Sequence, residues 1–233
     1  MPEQVRIEFP THQSVTAIAY PAAAQDRAGL TMILGHGAGA GQISDFIVSF
    51  ASGLAARGID TVTFNFSYME QGRRIPDPNG RLEASYRAVI EAVRERIKST
   101  GAGLAIGGKS MGGRIASQVA AAGIGDLAGL VFLGYPLYPP GRPDRLRAKH
   151  LIAIKAPMLF VQGSRDAFGT PDELRPIITQ FEPPADLYVV EGGDHSFKVP
   201  KRSVIRQEAV YDTIQDHIGA WLRAAMEARN RRH

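Results

Sequence analysis

Apolar and polar positions along this chain follow two rhythms that take turns. Residues 5–9 and 15–20 alternate apolar with polar, which predicts an edge hairpin with one wet face. Short, nearly continuous apolar runs at 31–35, 60–66, 104–108, 129–134, 158–163 and 187–191 predict buried strands. Between them lie segments with the helical period. Residues 45–57 put Phe46, Phe50 and Leu54 on one face, and 81–99 put Tyr86, Val89, Ile90, Val93 and Ile97 on another. Residues 111–122 are rich in small side chains suited to packing on a sheet, and 204–226 carry Val210, Ile214, Ile218, Trp221 and Leu222. Residues 67–80, with Arg73, Arg74, Pro76 and Pro78, read as a loop, and Asp172 reads as the cap of a helix after Thr170-Pro171. Strands alternating with helices predict an α/β chain with a mostly parallel central sheet of about eight strands, flanked by helices on both faces. No repeat, low-complexity tract or linker interrupts residues 1–233, so one domain is expected, with about 227–233 as a basic tail. The stretch from Tyr135 to Pro157 is 23 residues long, too short for a large cap domain. A site beneath it would be open or covered only by loops.

Composition narrows the chemistry. The 233 residues contain no cysteine, which excludes disulfides, thiolate nucleophiles and cysteine metal ligands. The histidines are scattered without an H-E-x-x-H pattern, so no metal and no cofactor is expected. Residues 1–6 lack the apolar run of a signal peptide and no run is long enough to span a bilayer, so the expectation is a cytoplasmic protein without a membrane partner. The net charge of +4 owes part of its excess to Arg229, Arg231 and Arg232. Without a basic stripe interleaved with aromatics, no nucleic-acid partner is expected.

Gly108-Lys109-Ser110-Met111-Gly112 fits G-x-S-x-G between a predicted strand and a predicted helix. A turn this tight tolerates only small neighbours and lifts the serine hydroxyl above the sheet, at the start of the following helix. There the backbone N–H of Met111 can stabilise a developing oxyanion. The glycine-rich turn Gly35-His36-Gly37-Ala38-Gly39 follows an earlier strand, and the Ala38 N–H is the expected second donor. A phosphate-binding turn is the rival reading of that segment, but it has neither the Lys-Ser/Thr of a P-loop nor G-x-G-x-x-G spacing. His36 is expected to shape the loop. A free serine hydroxyl is a weak nucleophile and needs a base. Gly163-Ser164-Arg165-Asp166 and Gly192-Gly193-Asp194-His195 each end a predicted strand, in the chain order Ser, Asp, His. Asp166 is therefore expected to orient His195, and His195 to take the Ser110 proton. Asp194 is poorly placed to bond the ring of its own neighbour.

These strings resemble one branch of the α/β-hydrolases: Gly35-His36-Gly37-Ala38-Gly39, Asn65-Phe66-Ser67-Tyr68, Gly107-Gly108-Lys109-Ser110-Met111-Gly112-Gly113-Arg114, Gly134-Tyr135-Pro136-Leu137, Gln162-Gly163 with Arg165-Asp166, and Gly193-Asp194-His195-Ser196-Phe197. The branch holds bacterial hydrolases, the testis-expressed hydrolase-like proteins and the third subunit of the NSL chromatin complex, near the dienelactone-hydrolase-like enzymes. The resemblance runs from about residue 30 to 222 and implies the α/β-hydrolase fold with Ser110, Asp166 and His195 as catalytic residues. Dienelactone hydrolases proper often use a cysteine, which this chain lacks. The expected function is a serine hydrolase that cleaves a small-molecule ester or thioester through an acyl-enzyme. The alternative is an interaction protein that kept the fold without the activity. Lys109, Tyr68 and Arg73 are the candidate substrate contacts. Lys109, Arg73, Arg74, Arg114 and Arg142 lie in or near the surrounding loops, where such cations either favour an anionic substrate or sit solvated or paired with carboxylates.

Overall fold

A strand that is apolar at every position must be covered on both faces, because its side chains point alternately to the two sides. The computed structural model, which describes residues 3–8, 14–97, 102–200 and 203–231, meets that condition with one sheet between two layers of helix. In chain order the elements are β1 (Glu3–Glu8), β2 (Ser14–Tyr20), β3 (Leu30–Gly35), α1 (Asp45–Ala56), β4 (Asp60–Phe64), α2 (Ser67–Glu70) and α3 (Asn79–Arg96). They continue with β5 (Gly103–Lys109), α4 (Met111–Ala121), β6 (Gly129–Leu133), β7 (Met158–Gly163), α5 (Pro171–Ile178), β8 (Asp186–Val190) and α6 (Gln207–Asn230). The eight strands form one sheet in the order β1-β2-β4-β3-β5-β6-β7-β8. Pairings of β1 with β2 and β2 with β4 are antiparallel, and all the others are parallel.

The two faces sort by parity. Ile33, Ile106, Leu130, Phe132 and Phe160 join one apolar cluster with Tyr86, Val89, Ile115 and Val119 of α3 and α4. Their neighbours Met32, Leu34, Val131, Leu133 and Val161 join the other, with Phe50 and Leu54 of α1 and Ile214, Ile218 and Leu222 of α6. Each large aliphatic or aromatic side chain removed from water in this way contributes about 1.5–3 kcal/mol. From β3 the chain passes to β4 on one side and then returns to β5 on the other. Loops leaving the carboxyl ends of β3 and β5 therefore diverge and leave a crevice between them, the position where open α/β sheets hold ligands.

The elements depart from the expected boundaries in instructive places. The segment expected as a loop over 67–80 contains α2, and α3 begins at Asn79. A four-residue helix has no period to read and is held by tertiary burial, here of Ser67 and Tyr68. β4 stops at Phe64 because the next two residues turn to other partners: Asn65 Oδ1 accepts from the Gln42 N–H at 2.9 Å, and the Phe66 N–H donates to His36 Nε2 at 3.1 Å. The cap of α5 is Thr170, not Asp172. Thr170 Oγ1 accepts from the Glu173 N–H and the Glu173 carboxylate accepts from the Thr170 N–H, a capping box with Pro171 in the first turn. α6 runs on through Asn230, and Arg229 donates to Asp126 Oδ2 at 2.7 Å and to the Ala102 carbonyl, so this part of the expected tail is pinned helix. Phe9, Ser99, Arg232 and His233 lie outside the described residues. Between β6 and β7 the chain forms turns and a single 3-10 turn at Leu151–Ala153, with no cap domain. Among the described residues no helix is long and apolar enough to cross a membrane.

Candidate active site

Ser110 joins β5 to α4 with φ 51° and ψ −111°. A non-glycine residue rarely holds a positive φ, and one that does must be over-determined by its surroundings. The Ser110 N–H donates to the Leu133 carbonyl at 3.0 Å, and the Ser110 carbonyl accepts from the Arg114 N–H at 3.0 Å. The glycines on either side are dictated by the end of β3. A Cβ on Gly108, whose φ is 155°, or on Gly112 would stand 2.3 Å from the Gly35 carbonyl oxygen. Beneath the turn, the Tyr86 hydroxyl donates to the Gly107 carbonyl at 2.6 Å and accepts from the Gly107 N–H at 3.1 Å.

The carboxyl ends of β7 and β8 bring up the other two residues. The Ser164 N–H donates to the Val190 carbonyl and the Arg165 N–H to the Gly193 carbonyl, which lashes the two loops together. His195 Nδ1 lies 2.8 Å from Asp166 Oδ2, and His195 Nε2 lies 2.8 Å from Ser110 Oγ. The carboxylate can only accept, so Nδ1 carries the hydrogen and Nε2 is left to accept from the serine hydroxyl. Asp166 is fully buried, while His195 keeps a fifth of its side chain exposed. Two further donors hold the carboxylate: Gln162 Nε2 on Oδ2 and the Phe168 N–H on Oδ1, both at 2.8 Å. The Phe168 ring lies against the imidazole, with centroids 4.5 Å apart. Asp194 Oδ1 instead accepts from the N–H groups of Ser196 and Lys198, closing the turn that presents His195.

A cavity of about 580 Å³ opens over Ser110 and His195. Ala38 and Met111 line it, on the two loops that flank the crevice. His36 does not reach the cavity. It is fully buried, with Nδ1–H on the Gly37 carbonyl at 2.8 Å, and so fixes the course of the loop that carries Ala38. Burial pushes its pKa down to about 4.

The candidate substrate contacts separate. Lys109 lines the cavity, but its Nζ donates to the His195 carbonyl at 2.6 Å and lies 5.7 Å from the centre of the Phe46 ring. Burial pushes its pKa down to about 8, against the opposing pull of Asp166 and Asp194. Tyr68 is fully buried behind the loop, edge-on to His36, and does not line the cavity. Arg73 does not line it either. Its guanidinium pairs with Asp77 at 2.7 Å. Arg142 pairs with Asp144 at the surface. Two lining or supporting residues carried no strong sequence signal. Gln162 is the single polar side chain before the terminal glycine of an otherwise apolar β7, and Arg147 sits in the loop after β6.

A family model described as the alpha/beta hydrolase domain matches residues 28–223, and the chain belongs to that family. Among solved structures it is similar to an alpha-beta serine hydrolase homologue from Coxiella burnetii, with TM-score 0.69 and 18% identity over 95% of this chain and 96% of that one. It is also similar to a serine hydrolase without lid from Xanthomonas campestris, with TM-score 0.71 and 19% identity over 97% and 94%. A dienelactone hydrolase from Anabaena variabilis aligns with TM-score 0.72 and 17% identity over 95% and 96%. Identities this low speak for the shared fold.

Proposed function

We propose that the protein is a serine hydrolase that cleaves carboxylic esters or thioesters of small molecules through an acyl-enzyme. The observation that carries this reading is the unbroken chain from Ser110 Oγ to His195 to Asp166, two contacts of 2.8 Å that start at a serine held at positive φ. In the reaction, Ser110 Oγ bonds to the acyl carbon as His195 Nε2 takes its proton. The N–H groups of Met111 and Ala38 hold the oxyanion, each such donor being worth about 3–4 kcal/mol. The carbon–oxygen or carbon–sulfur bond then breaks, and His195 gives its proton to the leaving atom. Water repeats the sequence: its oxygen bonds to the acyl carbon, one proton passes through His195 to Ser110, and the acid departs. The strings Gly-Lys-Ser-Met-Gly-Gly-Arg and Gly-Asp-His-Ser-Phe support placing the chain within the branch that holds the testis-expressed and NSL-subunit relatives.

Reaction of the protein with a fluorophosphonate, read by intact mass, tests this. One adduct on the wild type, absent from Ser110→Ala and His195→Ala, is the expected result. A folded wild type that takes no adduct would favour the interaction-protein reading.

A further inference from the structure

Among the described residues, Arg114 is a buried cation with no carboxylate in ion-pair contact. Its residue is more than nine-tenths buried, its side chain lines the cavity, and it stands one helical turn after Ser110. Helical side chains lean toward the N-terminus of their helix, which in α4 is the end that carries the serine. Of the five N–H donors of a guanidinium, the partners are two neutral amide oxygens: Nη1 donates to Gln118 Oε1 at 3.1 Å and Nη2 to Asn79 Oδ1 at 3.2 Å. Its Nε, buried, meets no acceptor among the described residues.

Arginines that bond only neutral oxygens occur elsewhere too, as Arg87, Arg94 and Arg165 do with backbone carbonyls, but those bonds are at exposed or half-buried positions. Arg57, Arg73, Arg142 and Arg229 each pair with an aspartate. A second arginine compounds the imbalance. Arg147, half-buried, lines the same cavity, and no carboxylate lies within ion-pair distance of it or of Arg114 among the described residues. Burial first, and then the charge of Arg147, works against the protonated form of Arg114, with a smaller opposing pull from Tyr135 and Glu83. The lining thus holds Lys109, Arg114 and Arg147 against one acidic residue, Asp77, whose Oδ1 is shared by Arg73 at 2.7 Å and Arg81 at 3.5 Å while its buried Oδ2 has no hydrogen-bond partner among the described residues. An uncompensated buried charge is costly, and a ligand that brings the counter-charge relieves that cost.

We propose that the cavity receives a substrate with an oxyanionic group, a carboxylate or a phosphate, held by Arg114 and Arg147 while its acyl carbon lies at Ser110. This assigns a substrate class to the serine hydrolase reading and rests on it. A planar fork of donors suits either oxyanion, and one charge-assisted contact of this kind separates charged from neutral ligands by tenfold or more.

Two measurements decide it. The first is kcat/KM for 4-nitrophenyl hydrogen adipate divided by that for 4-nitrophenyl hexanoate, in the wild type, Arg114→Gln and Arg147→Gln. The expected ratio is about tenfold or more in favour of the anionic ester in the wild type, falling about tenfold in each variant. Arg147 is half-exposed, so Arg147→Gln keeps the test sound even where Arg114→Gln fails to fold. The second is calorimetric titration of Ser110→Ala with adipate and with neutral 1,6-hexanediol, which reads the subsite without turnover. Adipate binding that exceeds the diol and weakens about tenfold on adding Arg147→Gln supports the proposal. Competition by inorganic phosphate then extends the subsite to phosphoryl groups, and its absence restricts it to carboxylates. Adipate no tighter than the diol, or an affinity untouched by either arginine substitution, overturns it. A protein that binds adipate as expected but takes no fluorophosphonate retains the subsite and loses the hydrolase reading.

Discussion

At the scale of single residues, the side chain with the most to lose is Gln162. Its amide donates to Asp166 Oδ2 at 2.8 Å and to the Gly169 carbonyl at 2.6 Å, with the Tyr135 carbonyl 3.3 Å away, and its oxygen accepts from the Tyr135 N–H at 2.9 Å. All of this is buried. Gln162→Leu keeps approximate volume and strands those partners, and each buried group left unsatisfied costs about 1–3 kcal/mol. The variant is expected to lose at least about 3 kcal/mol in urea unfolding and to react with fluorophosphonate at least tenfold more slowly, because Asp166 loses one of the contacts that aim its carboxylate. Unfolding and labelling both matching the wild type would remove Gln162 from this role. That Ser110, Asp166 and His195 come together was legible in the sequence, because their strand-end glycine contexts and chain order are local. Gln162 was not, because its importance lies in joining the loop after β6, through Tyr135, to the loop after β7, through Asp166 and Gly169, and only folding brings those two loops together. Tyr68 and Arg73 show the converse. Proximity in sequence to a functional loop suggested contact with substrate, but the fold turns Tyr68 inward and gives Arg73 to Asp77.

At the scale of elements, the decisive contact is the one between the start of α4 and the end of β3. A Cβ on Gly112 would meet the Gly35 oxygen at 2.3 Å and the Gly35 carbonyl carbon at 2.4 Å, main-chain atoms held by β4 on one side and β5 on the other. Neither can move without shearing the sheet. Gly112→Ala is expected to cost more than the roughly 1–3 kcal/mol typical of over-packing and to abolish fluorophosphonate labelling. Gly80→Ala, in the first turn of α3 where a Cβ meets nothing, provides a comparison for which no change in labelling is expected. A Gly112→Ala protein that melts and labels like the wild type would show that α4 can withdraw without cost. The strands and long helices were legible as elements because burial on one or both faces imposes a period. α2 was not, since one turn held only by tertiary contacts leaves no period behind.

At the scale of the whole molecule, acidity acts through a residue outside the cavity. His36 is neutral in the fold, giving its Nδ1–H to Gly37 and accepting from Phe66, and its pKa is lowered from 6.5 to about 4. A depressed pKa means that the unfolded chain binds the proton more readily. The stability this confers is therefore complete above pH 6.5 and is lost as the pH falls toward 4, by about 3 kcal/mol in all. Urea midpoints taken from pH 7 down to 4 check the sign: the wild type should lose more than His36→Asn over that interval, and equal losses would exclude His36 as the source. A different consequence follows from the connection between β6 and β7. That single excursion supplies Pro136, Tyr138, Pro140 and Arg147 to the cavity wall, while Ser110, Asp166 and His195, the residues proposed to react, follow the ends of β5, β7 and β8. On the proposed reading, this excursion carries part of recognition apart from the three reacting residues, with Arg114 of α4 as the part that stands beside them. A transplanted loop of similar span could change which molecules enter without touching the machinery that reacts with them, so relatives built on one chemistry can diverge in diet by exchanging one surface segment.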